Sequence, residues 1–284
     1  MTSEDVQEQR ERLLDGWDEA AKGWGRQADR MQEAARPVSE WMVEHARPAA
    51  GERVLELAAG PGDTGFLAAR RIEPGGTLIS SDAVAGMLDV ARERAREQGI
   101  GNVEFRQLQL EWIDLPTASV DVVLCRWAVM LVLDAATAVR ECRRVLRPGG
   151  RVALAVWDLP ELNPWTMIIQ RTLVELGHVE PVAAGGPGMF ALAPPGRLAE
   201  LLEAGGFLDV RIEAVAIVRH YASVLDCLGE ARDLSRQFST VWERLSDQQR
   251  QELRDAVGRA AADYTDQAGA LTLPGSSLVA VASA

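Results

Sequence analysis

The sequence predicts an α/β protein built on a mainly parallel sheet. Three observations support this: short apolar runs alternate with helical stretches between residues 51 and 158, glycine-rich turns separate them, and the run at Val120–Arg126 is apolar almost throughout. A strand of that kind is typical of a sheet covered on both faces by helices. Strand–helix alternation at this spacing implies parallel strands joined by right-handed crossovers. The five predicted strands of this region are Arg53–Ala58, Thr77–Ser81, Val103–Gln107, Val120–Arg126 and Arg151–Trp157.

The chain divides into three predicted parts. Residues 1–50 carry apolar residues at helical spacing and no strand pattern, so we expect a helical N-terminal cap whose helices are punctuated by Pro37 and Pro48. Residues 51–158 form the predicted cofactor-binding core, and residues 159–284 the remainder of the sheet with helical insertions around an acceptor pocket. The last part contains two further predicted strands, Leu208–Ile217 and Leu278–Ser283.

Composition restricts the classes of partner. The chain has 284 residues and a formal net charge of −12, which disfavours a nucleic-acid partner because phosphate contacts need positive surface. Its longest apolar stretch is too short to span a bilayer. The three cysteines lack CxxC spacing and the N-terminus is acidic and polar, so we expect a cytoplasmic protein without a bound metal. Composition does not fix the oligomeric state, and a homodimer is one alternative.

A glycine-rich turn follows the first predicted strand. Gly60, Gly62 and Gly65 satisfy the pattern GxGxxG, and Asp82 ends the second strand twenty residues after Gly62. In nucleotide binders of this architecture, glycines let the backbone approach the ligand and an acid one strand over accepts both ribose hydroxyls. The alternative is a tight turn that needs glycine only for its φ angles.

The charges near this turn suggest which nucleotide it binds. Glu56, at the end of the first strand, and Asp63, in the turn, would place negative charge next to a pyrophosphate, which is unfavourable in a partly desolvated cleft. S-adenosylmethionine has no phosphate and carries an ammonium and a sulfonium. We therefore expect S-adenosylmethionine, with an NAD(P)-dependent oxidoreductase as the alternative.

The ordered motifs of this region resemble those of class I S-adenosylmethionine-dependent methyltransferases. The motifs are Glu56–Gly62, Asp82, the stretch from Leu115 to Val123 and the turn Val145–Gly150. The closest group is the small-molecule enzymes similar to the quinone-biosynthesis C-methyltransferases. The resemblance implies a Rossmann-like, seven-stranded sheet of order 3-2-1-4-5-7-6, with an antiparallel last strand at Leu278–Ser283.

The same resemblance implies a set of cofactor-binding residues. This sequence departs from the family pattern at two positions. Gln109 occupies a position where an acid commonly binds the adenine, which leaves open whether Gln109 or Glu111 does so. Ala58 stands where many members have glycine. The implied set is Glu56, Ala58, Gly60, Pro61, Gly62, Asp82, Ala83, Met87, Gln109, Leu110, Glu111, Trp112, Cys125 and Arg126.

Tryptophans suggest an acceptor pocket. The chain has eight tryptophans and two tyrosines, and several tryptophans follow predicted strands four and five, where the ligand crevice of an open α/β sheet lies. An aromatic pocket suits a flat or apolar small molecule. Ordinary core packing is the alternative. The predicted pocket residues are Trp127, Met130, Trp157 and Trp165, with Trp17 and Trp24 closing the pocket from above.

The sequence does not single out a catalytic base. Methyl transfer from a sulfonium to an O, N or C atom depends mostly on holding the nucleophile in line, although some acceptors also need a base. The candidates are His178, His220, Glu111 and Asp158. A protein of this fold that uses its cofactor only structurally is a further alternative.

Overall fold

The computed structural model describes residues 3–181 and 186–284, with side chains from residue 7 onward in the first range. The seven strands are β1 (Arg53–Leu57), β2 (Thr77–Asp82), β3 (Val103–Gln107), β4 (Val120–Arg126), β5 (Leu146–Trp157), β6 (Leu208–Tyr221) and β7 (Leu271–Ser283). The α-helices are α1 (Ser3–Ala46), α2 (Asp63–Arg71), α3 (Ala85–Glu97), α4 (Ala135–Val145), α5 (Pro164–Glu175), α6 (Arg197–Ala204), α7 (Val224–Leu234), α8 (Arg236–Arg244) and α9 (Asp247–Ala260). Short 3-10 helices cover Pro160–Leu162 and Ala262–Tyr264.

The strands form one sheet of order β3-β2-β1-β4-β5-β7-β6. Strand β7 runs antiparallel to β5 and β6, and the other pairs are parallel, which confirms the predicted topology. Glu56 lies opposite Ser80 of β2 and Leu124 of β4, so the carboxyl ends of these three strands align. This register places the glycine turn, Asp82 and Arg126 along one edge of the sheet, where α/β proteins bind ligands.

The N-terminal segment is one helix of 44 residues that continues through Pro37, so the expected punctuation at Pro37 is wrong. Proline removes one backbone hydrogen bond from a helix interior. Packing compensates for this loss, because Ala35, Val38 and Met42 are fully buried against the sheet. A long helix of this kind is stabilised by its buried face rather than by its local sequence. The division of the chain into three parts remains a prediction.

Strands β6 and β7 are longer than predicted. They pair antiparallel as far as Tyr221 opposite Leu271, so β6 ends four residues beyond the predicted Ile217. His220, expected to follow the strand, therefore lies within it. Strand β5 also begins earlier than predicted, at Leu146. The predicted turn Val145–Gly150 is therefore mostly part of the strand.

Two hydrophobic clusters meet around α5. The larger one surrounds the sheet, and the smaller one joins α5 to α7, α8, α9 and the first residues of β7. Trp165, at the start of α5, packs against both clusters. Among the helices that the structure describes, none combines the length and apolar character needed to cross a membrane.

Candidate active site

The three glycines of the turn have different surroundings. A Cβ on Gly62 would lie 2.4 Å from Cζ of Phe66, and one on Gly65 would lie 2.1 Å from Oε2 of Glu56. Packing therefore excludes a side chain at both positions. Gly60 has φ +50°, and a Cβ there would meet no heavy atom of the described chain within 4 Å. Gly60 is thus the glycine of the motif whose open side a ligand can approach.

Ala58 occupies the same turn with φ +48°, in the left-handed region. This conformation costs an L-residue roughly 1–2 kcal/mol, whereas glycine adopts it freely. The backbone explains why the family resemblance implies glycine here, and it shows that this chain forms the turn with alanine.

Asp82 connects the end of β2 to the glycine turn. Its Oδ2 accepts a hydrogen bond from the N–H of Gly60, and its Oδ1 accepts one from the N–H of Val84, both at 3.0 Å. Burial raises the pKa of Asp82, and the backbone N–H groups oppose that shift. Each oxygen has a further lone pair, so the carboxylate can also accept hydrogen bonds from a pair of hydroxyls.

Glu56 does not present a negative charge to the turn as expected. Its side chain is buried under α2, where Oε1 accepts from the N–H of Gly65 at 2.7 Å and Ser80 Oγ lies 3.5 Å from Oε2. Burial raises the pKa of Glu56 to about 8, which favours the neutral form of the carboxyl group. The argument from charge against a dinucleotide depended mainly on a negatively charged Glu56, and it is therefore weaker. The sequence did not reveal this because it does not show burial.

Positive charge is concentrated beside the turn instead. Arg126, at the end of β4, donates from Nε to Thr64 Oγ1 at 3.0 Å and from Nη2 to Asp63 Oδ2 at 3.3 Å. Arg94 contacts the other oxygen of Asp63 at 3.2 Å and also pairs with the exposed Asp29. The buried Asp63 is thus shared by two guanidinium groups. Nη1 of Arg126 is buried and has no hydrogen-bond partner among the described residues.

The segment after β3 shows how the predicted adenine-reading residues are placed. Glu111 already accepts from Arg10 Nη2 at 3.2 Å and from the N–H of Asp134 at 2.9 Å. Gln109 is exposed and Leu110 is buried, while Trp112 has 74% of its surface exposed. The alternatives Gln109 and Glu111 both remain predictions, but only Gln109 has no side-chain partner within the described chain.

Trp17 and Trp24 do not close the tryptophan pocket as expected. Their ring centroids lie 6.1 Å apart, and both pack with Val84 and Met87, next to Asp82. The N-terminal half of α1 therefore covers the predicted adenine side of the site, where Ala83 and Met87 were expected to lie. The helical spacing of Trp17 and Trp24 predicts that both lie on the buried face of α1. It does not predict which part of the protein that face packs against.

Three other tryptophans form a continuous column. Trp157 stacks on Trp127 with centroids 4.0 Å apart and planes at 18°, and it contacts Trp165 at 4.9 Å and 54°. Trp127 Nε1 donates to Ser277 Oγ and Trp165 Nε1 to Asn163 Oδ1. The guanidinium of Arg126 lies 4.6 Å from the centre of the Trp127 ring, so one end of the column adjoins the glycine turn.

The backbone of Trp127 is in the left-handed region, with φ +59°. For a bulky residue this is a rare conformation that costs of order 1–3 kcal/mol, and such residues concentrate at functional sites. Met130, on the same segment, is buried, and its carbonyl accepts from the N–H of Gly188. The segment that follows β4 is thus joined by hydrogen bonds to other parts of the chain, at Trp127 and at Met130.

The structure separates the candidate bases. His220 is exposed on β6, four strands from β1 in the sheet, and its Nδ1 lies 3.3 Å from Thr272 Oγ1. His178 follows α5, and its N–H donates to Leu173 O. Neither histidine reaches the glycine turn, because four strand spacings amount to about 19 Å for His220 and His178 lies beyond the far end of α5 from Trp165. Asp158 follows Trp157 directly and accepts from Ser276 Oγ at 2.8 Å.

Arg219 is a buried residue that the sequence interpretation missed. It lies on β6 with its guanidinium 4.4 Å from the centre of the Trp165 ring, at the other end of the tryptophan column. Ile217, Arg219 and Tyr221 are all buried and alternate along the strand. This period-two pattern could have predicted an inward-facing arginine if β6 had been extended to Tyr221.

The cysteines and the possible metal ligands of the described residues can be located in the structure. No group of three or more His, Cys, Asp or Glu among them could hold a metal ion. All three cysteines are buried, and burial raises the pKa of Cys125 to about 12 and that of Cys227 to about 11. Such thiols pack as small apolar groups.

Comparisons with known proteins agree with this geometry. Residues 54–150 match the family described as a methyltransferase domain. The chain is 32% identical over 185 residues to nocamycin O-methyltransferase of Saccharothrix syringae, an alignment that covers 62% of this chain and 66% of that protein. It is 36% identical over 119 residues to the ubiquinone/menaquinone biosynthesis C-methyltransferase UbiE of Pasteurella multocida, which covers 42% of this chain and 44% of that protein. The chain thus spans about half to two thirds of these curated relatives.

A solved structure shows the same fold. The YcgJ protein from Bacillus subtilis superposes with a TM-score of 0.57 at 22% sequence identity, over 86% of this chain and 97% of that one. The sheet order, the glycine turn with its neighbouring acid, and the alignments agree, and the chain belongs to the class I S-adenosylmethionine-dependent methyltransferases, a family that takes S-adenosylmethionine as methyl donor.

Proposed function

We propose that the protein transfers a methyl group from S-adenosylmethionine to an O, N or C atom of a small, aromatic or apolar acceptor. The observation that carries this proposal is the open side of Gly60 directly beside the buried carboxylate of Asp82. Glycine without a packing constraint, next to an acid with free lone pairs, is the arrangement that a nucleoside needs.

The residues at the turn fit the cofactor part by part. Asp82 would accept the two ribose hydroxyls, and the backbone from Ala58 to Gly62 would approach the amino-acid tail. The unpartnered Nη1 of Arg126 would donate to the tail carboxylate, because a buried guanidinium nitrogen without an acceptor is costly and a carboxylate satisfies it. When bound, the cofactor supplies an electrophilic methyl group on a sulfonium.

The tryptophan column supports an aromatic acceptor. Trp127 directly follows the strand that ends beside the turn, and its ring continues into Trp157 and Trp165. One relative is named for nocamycin and another for ubiquinone and menaquinone, which is consistent with a ring-containing acceptor. Holding such an acceptor in line with the methyl group is worth roughly 7–11 kcal/mol at best.

Asp158 is the candidate base that the geometry favours. It follows Trp157 at the end of β5. Its Oδ2 accepts from Ser276 Oγ, and its Oδ1 accepts from the N–H of Leu159. A carboxylate held in this way can receive a proton from an acceptor hydroxyl once the acceptor packs against the column.

Cofactor binding is tested by calorimetry with S-adenosylmethionine, S-adenosylhomocysteine and NAD. The NAD measurement matters because the raised pKa of Glu56 weakens the argument from charge against a dinucleotide. The variant Gly60→Val should lose at least tenfold in affinity for both adenosyl ligands. Gly99→Val is the matched control, since Gly99 also has positive φ and open surroundings but lies at the end of α3.

We expect wild type and Gly99→Val to bind both adenosyl ligands and not NAD. Binding of NAD alone would replace the proposal with a dehydrogenase. Turnover is then followed as release of S-adenosylhomocysteine with a panel of quinols and hydroxylated polycyclic acceptors. Tight cofactor binding without release across the panel would instead support a protein that uses the cofactor structurally.

A further inference from the structure

We propose that Arg94 of α3 is a positioning residue for cofactor binding: it holds one oxygen of Asp63 and so keeps Arg126 available for the amino-acid tail. This inference rests on the proposed function, in which Arg126 donates to the tail carboxylate. Arg94 reaches the glycine turn through Asp63, so it would act on the cofactor indirectly.

Asp63 lies between two arginines at the glycine turn. It directly follows Gly62 as the first residue of α2, and its side chain is 3% exposed. Oδ1 accepts from Nη2 of Arg94 at 3.2 Å, and Oδ2 accepts from Nη2 of Arg126 at 3.3 Å. Burial raises the pKa of Asp63, and the two guanidinium groups oppose that shift. Each arginine therefore holds one oxygen of the same buried carboxylate.

Arg126 binds α2 through one edge of its guanidinium. Nε donates to Thr64 Oγ1 and Nη2 to Asp63, while the hydroxyl of Thr64 lies 2.9 Å from Ser39 Oγ on α1. Arginine and carboxylate groups frequently pair through two parallel hydrogen bonds. Asp63 would form such a pair with Nη1 and Nη2 of Arg126 if Oδ1 had no other donor. Arg94 occupies Oδ1 and so opposes this arrangement.

Helix α1 fixes the position of Arg94. Nη1 of Arg94 donates to Asp29 Oδ1 and Nη2 to Gln32 Oε1, both at 2.7 Å. Asp29 and Gln32 are three residues apart and are therefore neighbours on the surface of α1. The Arg94 side chain is 11% exposed, so these bonds hold a largely buried cation where it meets Asp63.

Removal of Arg94 should draw Arg126 further onto Asp63. A buried carboxylate oxygen without a donor is costly, and Nη1 of Arg126 is the nearest replacement on the same guanidinium as the remaining bond. Nη1 would then bind Oδ1 instead of the cofactor tail. A ligand with the tail should lose affinity, and a ligand without it should not. An arginine that only stabilises the packing of α3 predicts equal losses for both ligands.

The test measures the affinity of Arg94→Met for S-adenosylhomocysteine and for 5′-methylthioadenosine, which lacks the tail, by calorimetry. We expect a loss of about tenfold for S-adenosylhomocysteine, as for one hydrogen bond to a charged group, and no change for 5′-methylthioadenosine. Arg94→Lys keeps a cation beside Asp63 and should show a smaller loss, again only for S-adenosylhomocysteine. Arg96→Met, at an exposed position two residues along α3, is the matched control and should bind both ligands as wild type does.

A double variant separates positioning from folding. Arg94→Met/Asp63→Asn replaces the carboxylate with an amide, which offers Arg126 one acceptor oxygen instead of two. Nη1 is then released, and the affinity for S-adenosylhomocysteine should recover toward that of wild type. A purely structural Arg94 predicts no recovery, because the double variant loses both members of the ion pair. Thermal unfolding followed by circular dichroism checks that each variant is folded.

Equal losses for the two ligands in Arg94→Met, unchanged affinity for both, or no recovery in the double variant would each overturn the inference. Should Arg94→Met not fold, Arg94→Lys decides: a loss confined to S-adenosylhomocysteine supports the inference, and any other result overturns it. Wild type is titrated in parallel. If wild type binds neither ligand, the proposed function itself fails. If it binds both and the variants contradict the expectation, only the role of Arg94 fails.

Discussion

The main-chain N–H of Gly60 donates to Oδ2 of Asp82 at 3.0 Å, which links the turn after β1 to the end of β2. The other oxygen of Asp82 holds the N–H of Val84 at the same distance. One carboxylate therefore shapes the glycine turn and the start of the segment that leads to α3. The shape of the turn and the proposed ribose contact thus depend on a single residue.

Replacing Asp82 should therefore weaken cofactor binding for two reasons. We expect Asp82→Ala to bind S-adenosylhomocysteine more weakly by about 1–3 kcal/mol, as is typical when hydrogen bonds to a buried acceptor are lost. Asp82→Asn keeps one acceptor oxygen and should give an intermediate loss. Calorimetry measures both affinities, and circular dichroism checks the fold. Unchanged affinity in Asp82→Ala would show that this residue does not contact the ribose.

The side chain of Arg126 should recognise only the amino-acid tail of the cofactor. Arg126→Met removes the unpartnered Nη1, while Asp63 remains paired with Arg94. We expect affinity for S-adenosylhomocysteine to fall by about 1.5–3 kcal/mol, the range for hydrogen bonds to charged groups. Affinity for 5′-methylthioadenosine, which lacks the tail, should not change. Equal losses for the two ligands would assign Arg126 to the structure of the turn instead.

The parts of the fold that the sequence predicted are those that depend on local pattern. The alternation between residues 51 and 158 predicted the parallel strands correctly, because each buried strand and each amphipathic helix has its own period. Strand β6 was predicted too short, since its exposed residues such as His220 alternate with inward-facing ones like Arg219. The continuation of α1 through Pro37 was missed because burial of its face, rather than local preference, stabilises it.

The parts of the site that the sequence did not predict depend on burial and tertiary neighbours. The sequence does not show whether Glu56 lines an open cleft or is buried under a helix, and only the structure shows that it is buried. Trp17 and Trp24 were assigned to the acceptor pocket, although they lie over Val84 and Met87. The burial of Arg219 depends on its contacts with Trp165 and Glu230, which are 54 and 11 residues away in the sequence.

Ala58→Gly should stabilise the protein. The left-handed backbone of Ala58 costs an L-residue roughly 1–2 kcal/mol. Glycine relieves this cost, but it also gives the unfolded chain more freedom, worth about 0.4–1 kcal/mol. We expect a net gain of up to about 1 kcal/mol in the free energy of unfolding, measured by chemical denaturation. The neighbouring variant Ala59→Gly relieves no backbone strain and should be destabilising. A lower free energy of unfolding in both variants would contradict a strained backbone at Ala58.

Glu56→Gln should remove a pH dependence of stability. The folded-state pKa of Glu56 is about 8, raised by burial above the ordinary value of 4.5, so between these values the folded state holds a proton that the unfolded state has released. The stabilisation that the protonated carboxyl gives is fully present below pH 4.5 and is lost as the pH rises through 8. Glutamine cannot titrate, and it keeps an acceptor for the N–H of Gly65.

The free energy of unfolding of Glu56→Gln, relative to that of wild type, should therefore rise by about 3 kcal/mol between pH 5 and pH 8. This follows from roughly 1.4 kcal/mol per unit of pKa shift. Urea denaturation at pH 5, 6.5 and 8 measures this difference. Glu104→Gln, at an exposed position on β3, controls for the change in net charge. A constant difference between Glu56→Gln and wild type across this range would mean that Glu56 is ionised in the folded protein, and the negative charge first expected at the turn would be restored.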